Sequence, residues 1–126
     1  FGLRISRENS SRANPFSETQ LHLYELEAQR LRPLLGELPV ALSWGEWDTN
    51  CTGEFSETKG VVIITERIGN HGYRDLRLKD TRVERRMALV DGQCRTVEKS
   101  THRYQLPIEY DEERYLLPIE LASDPH

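Results

Sequence analysis

The sequence predicts an α+β domain, one N-terminal helix packed on an antiparallel β-meander of about four to six strands. Three stretches carry that expectation. Residues 17–35 place apolar side chains at helical spacing, residues 60–68 form a β-branched run, and Asp91-Gly92 separates two alternating segments.

Ser17-Glu18-Thr19-Gln20 fits a capping box, with Ser17 as N-cap and Gln20 reaching back. Leu21, Tyr24, Ala28, Leu31 and Leu35 then recur at steps of three and four, with Glu25, Glu27, Arg30 and Arg32 between them. Such a stripe belongs to a helix lying across a sheet, running from about Glu18 to Arg32 or Leu35. Pro33 removes a donor in its last turn and Gly36 stops it. Residues 1–15 are polar and Arg/Ser-rich and read as a flexible or frayed arm, with a short edge strand of alternating Phe1, Leu3 and Ile5 as another reading. Residues 16–126 then make a single α+β domain.

The strands follow. Pro39–Trp44 reads as the first, 45–53 as a turn region, and Phe55 as the start of a short strand. Gly60-Val61-Val62-Ile63-Ile64-Thr65 reads as a central strand with both faces covered. Gly69-Asn70-His71-Gly72 is a loop, and Tyr73–Lys79 alternates to form a hairpin with that strand. Asp91-Gly92 suits a two-residue type I′ turn, which pairs Leu89 with Cys94, Met87 with Thr96 and Arg85 with Glu98. The prolines in Leu106-Pro107-Ile108-Glu109 and Leu117-Pro118-Ile119-Glu120 make both segments edge strands or extended loops.

Composition narrows the function classes. A net charge of −4 argues against a protein dominated by nucleic-acid binding, and no apolar stretch is long enough to span a membrane. The chain starts at Phe1 without Met, as expected where a signal peptide or anchor has been removed or a boundary chosen. Cys51 and Cys94 both lie beside turn signals and are expected to be bridged at one end of the sheet; two buried thiols in a reducing compartment are the alternative.

Catalytic patterns are missing. The four histidines His22, His71, His102 and His126 are scattered, and no zinc, nucleophile-elbow, phosphate-loop or dinucleotide motif occurs. No catalytic residue, metal site or cofactor is therefore expected. Charge is uneven instead. Residues 71–105 hold nine Lys/Arg against five Asp/Glu, while residues 106–126 hold one Arg against six acidic residues. Alternation gathers Arg86, Arg95 and Lys99 on one face, either as a contact patch or as a solvated face neutralised by the acidic tail. Aromatic residues are not interleaved with these cations, which argues against single-stranded nucleic acid. Trp44 and Trp47 stand beside Cys51 and read as contact anchors, or as covers for the ends of the core.

These features together read as a non-enzymatic protein-interaction domain, the soluble, periplasmic or secreted part of a larger envelope, pilus or secretion assembly. Its partner-binding residues are Trp44, Trp47, Arg86, Arg95 and Lys99. The alternatives are a small enzyme assembled from dispersed residues around His71, Asp48 and the tryptophans, and an intracellular inhibitor or immunity-type protein.

Overall fold

No α-helix forms among residues 1–117, which the computed structural model describes, and the α+β expectation is overturned. The chain is a six-stranded antiparallel meander in sequence order: β1 (Gly2–Glu8), β2 (Phe16–Glu27), β3 (Arg30–Trp47), β4 (Gly53–Ile68), β5 (Arg74–Val90) and β6 (Gln93–Ile108). A small second hairpin pairs β7 (Tyr110–Asp111) with β8 (Arg114–Tyr115). Residues 118–126, which hold Pro118-Ile119-Glu120 and His126, lie outside the described residues.

The expected helix is the hairpin of β2 and β3. Its turn is Ala28-Gln29, with φ of 47° and 69°. Both angles lie in the left-handed region that a two-residue type I′ turn requires. Of the expected stripe, Leu35 is buried, Leu21 and Tyr24 are half-buried, and Ala28 and Leu31 are exposed. Leu21 and Leu23 pack against the core at a period of two, as a strand demands. A leucine-rich stretch with leucines at 21, 23, 26, 31, 34 and 35 satisfies either period, and pairing with β3 chooses between them. The prolines fit because the ladder is irregular where they sit. Pro33 lies opposite Tyr24 and Pro39 opposite Gln20, each next to a register shift.

Residues 1–15, expected as a flexible or frayed arm, contain β1. Its residues are exposed and pair with β2 from Gly2–Leu23 to Glu8–Ser17. The connecting loop is held by Asn9, whose side-chain amide donates to the Asn14 carbonyl and whose side-chain oxygen accepts from the Phe16 N–H.

The sheet forks. β3 pairs with β4 only from Trp47–Gly53 to Ala41–Lys59, and beyond Lys59 β4 pairs with β5 alone. The freed half of β3 lays Leu35, Leu38 and Val40 against Leu76 and Leu78 of β5 and Ile108 of β6, with Tyr110 and Tyr115 completing the core. Leu38, Leu78 and Ile108 are 0% exposed. The run from Gly60 is therefore not covered on both faces as expected. Val62 packs on the core, but Val61, Ile64 and Ile68 are exposed because β3 has departed.

The Asp91-Gly92 turn forms as expected, with φ of 52° and 77° and with Leu89 opposite Cys94 and Met87 opposite Thr96. The expected register fails one step further. Val97 bulges out of β6, so Glu98 faces Arg86 and Lys99 faces Arg85.

Candidate functional site

The sheet end opposite the core is fixed by a covalent link. Cys51, in the β3–β4 turn, is bonded to Cys94 at the start of β6, with their Cα atoms 5.6 Å apart. Gly53 faces Met87 and Leu89 faces Cys94, so the link passes over β5. Two strand spacings in a flat sheet measure about 9.5 Å. The turn must therefore fold over β5 to close that gap. Asp48 shapes it by accepting hydrogen bonds from the Asn50 and Cys51 N–H groups at 2.9 and 2.8 Å. Those donors hold the Asp48 carboxyl below its usual range.

Alternation along β5 is unbroken, so its two faces are well defined. The inner face carries Leu76 and Leu78 into the core and continues toward the disulfide. Two rows of directly paired residues cross it there: Trp44, Ser56, Glu84 and Ser100, then Glu46, Glu54, Arg86 and Glu98. They border an open cleft of about 670 Å³ whose lining includes Trp44, Glu54, Ser56, Glu84, Arg86 and Glu98. Arg86 donates to Glu98 at 2.7 Å. This hydrogen bond and the guanidinium charge lower the Glu98 pKa; the same bond, with attraction to Glu98 and Glu54, raises that of Arg86. The Arg86 guanidinium thus has Glu98 and Glu54 as its carboxylate neighbours, with Glu84 and Trp44 on the same face, while Arg85 and Lys99 also border the cleft. The inward-facing carboxylates and the aromatic face together suit a cationic side chain.

No family model, curated protein or solved structure matches the chain.

Of the residues expected to bind a partner, Trp44, Arg86 and Lys99 line the cleft, while Trp47 and Arg95 do not. Trp47 is committed elsewhere, its indole N–H donating to the Arg12 carbonyl and its ring meeting the edge of Phe55. Arg95 donates to Gln93. The Val97 bulge separates Lys99 from Arg86, placing Lys99 on the outer face with Arg85. Glu54, Glu84 and Glu98 were not singled out in the sequence, because only the register brings them together around Arg86.

The dispersed constellation of His71 and Asp48 is not assembled. Asp48 precedes one end of β4 and His71 follows the other, along a strand of 16 residues that spans roughly 50 Å. His71 instead sits edge-on to Tyr110. Among the described residues, no group of three His, Cys, Asp or Glu is placed to hold a metal ion.

A second polar cluster had no local signal in the sequence. Arg32 donates to Glu25, Tyr73, the Tyr110 hydroxyl at 2.6 Å and the Glu113 carbonyl at 2.7 Å. Tyr73 stacks on Tyr110 and donates its hydroxyl to Glu25, which pushes its pKa up to about 12. Each donating nitrogen of Arg32 that faces this cluster is occupied by protein, so the cluster acts as a clasp that holds the β7–β8 hairpin to β2 and β3. A smaller cavity borders His22, Gly36, Arg114 and Tyr115.

Proposed function

We propose that this chain is a protein-interaction domain that works in an oxidising, extracytoplasmic compartment as part of a larger assembly. The cleft carries the reading. Trp44 offers an aromatic wall, and Glu54, Glu84 and Glu98 share the inner face with Arg86, while Arg85 and Lys99, which also border the cleft, belong by register to the outer face. A partner's lysine or arginine would stack on Trp44 and replace water around these carboxylates, the arrangement in which a buried aromatic anchors an interface and the charges choose the partner. The Cys51–Cys94 bond supports the compartment, since such links persist where thiols are not kept reduced.

The test is affinity capture with the native domain and with Trp44→Ala and Glu84→Lys. Both variants should release the same partner while keeping the native melting temperature. Undiminished capture by both would remove the cleft from the interface.

A further inference from the structure

We infer that the outer face of β4–β6 is a contact surface for an anionic phospholipid bilayer; it adjoins the cleft, which Arg85 and Lys99 also border, but faces the other side of the sheet. The register places Arg77, Lys79 and Arg85 of β5 on that face, with Lys59 of β4 and with Lys99 and Arg103 of β6. All six are exposed. Across the paired positions 53–63, 77–89 and 99–107, the one carboxylate on this side is Glu57, which is bonded to Lys59 at 3.1 Å. Arg85 stands directly opposite Lys99, and like charges so placed repel across a ladder. A chain of net charge −4 therefore holds six of its 17 lysines and arginines on one side of a sheet. An anionic surface relieves that repulsion.

The face favours a bilayer over other polyanions. Val61, opposite Lys79, is 64% exposed, and Leu89, near the hairpin tip, is 55% exposed; both belong to this side. A headgroup layer takes up aliphatic side chains while its phosphates meet the cations. A nucleic acid would leave both in water. The aromatic residues on this side, Phe55 and the neighbouring Trp47, are half-buried edge to face against each other, with Phe55 over Gly45 and the Trp47 N–H given to the Arg12 carbonyl, and so offer no stacking platform for bases.

The experiment is co-sedimentation of the whole chain with vesicles of phosphatidylcholine alone and with vesicles that also contain phosphatidylserine. The native chain should sediment with the second kind only, and less as salt rises. Lys79→Glu combined with Arg85→Glu should weaken binding tenfold or more, with an unchanged melting temperature. Arg95→Glu makes the same charge change as Lys79→Glu alone, at a position facing the other side, and should bind as the native chain does while Lys79→Glu binds more weakly. The inference fails if the native chain ignores phosphatidylserine, if Arg95→Glu loses as much as Lys79→Glu, or if heparin or duplex DNA retains the chain more tightly than the vesicles at equal ionic strength.

Discussion

Arg86 stands directly opposite Glu98 and donates to it at 2.7 Å, because Val97 has been pushed out of the β6 ladder. One extra residue thereby reverses the charge sense of both faces. Without the bulge Glu98 would oppose Arg85 on the outer side, and Lys99 would join Arg86 in the cleft. Deleting Val97 removes the unpaired residue itself, so Glu98 stays opposite Arg86, Lys99 stays opposite Arg85, and the carboxylates of the cleft stay in place. The measurement is the quenching of Trp44 fluorescence by a short oligo-arginine peptide, in a Trp47→Phe background. The deletion should leave it unchanged, and a clear loss of quenching would contradict this account.

The same pair predicts a dependence on acid. The folded-state pKa of Glu98 is lowered, chiefly by its hydrogen bond with Arg86. Its contribution to stability is present above the unfolded pKa of an ordinary glutamate and is lost as pH falls through the lower, folded value. The loss is small because both side chains are exposed. Glu98→Gln should flatten the acid limb of the stability curve slightly, as followed by thermal melts from neutral to acidic pH.

Asp80 should behave in the opposite way. It is 4% exposed, its Oδ1 has no hydrogen-bond partner, and it lies against Gly60. Burial raises its pKa, while the Tyr104 hydroxyl and the charge of Arg82 work against that rise. A carboxyl with a raised folded pKa contributes stability below its unfolded pKa and loses it as pH rises through the folded value. Asp80→Asn should accordingly melt higher than the native chain at neutral pH, with the gap closing in acid. A variant that melts lower at neutral pH would show that the ionised form is needed.

The Cys51–Cys94 bond closes a separation of 43 residues. In the chain-entropy treatment such a link is worth about 4 kcal/mol. Cys51→Ala with Cys94→Ala should lower stability in denaturant titration by roughly that amount, and should also loosen the 48–52 turn. A loss below about 1 kcal/mol would place the turn's rigidity in Asp48 instead.

The Ala28-Gln29 turn holds two non-glycine residues at positive φ, a conformation that costs on the order of 1 kcal/mol or more for each. Ala28→Asn with Gln29→Gly installs the residues that a type I′ turn favours, and should stabilise the domain by about 1 kcal/mol. Destabilisation in the same titration would mean that the turn is not strained.

The sequence by itself determined the second hairpin, because Asp91-Gly92 is local chemistry: the two residues that form the turn are adjacent, and alternation on both sides repeats the message. It also indicated that Cys51 could meet Cys94, since both lie by turns at one end of a sheet. It did not determine residues 17–35. There the leucines satisfy two periods at once, the turn residues Ala28 and Gln29 are not turn formers, and the choice rests on pairing with β3 and packing on β5. Nor did it reveal that β3 leaves β4 after Lys59, which exposes the most apolar run in the chain. The charge faces lay further still from view. Counting residues back from the turn assigns Arg86, Arg95 and Lys99 to one face, and the bulge at Val97 moves Lys99 to the other. Local conformation is written in neighbouring residues, but face, fork and register are set by long-range pairing, in which one unpaired residue redirects every side chain beyond it.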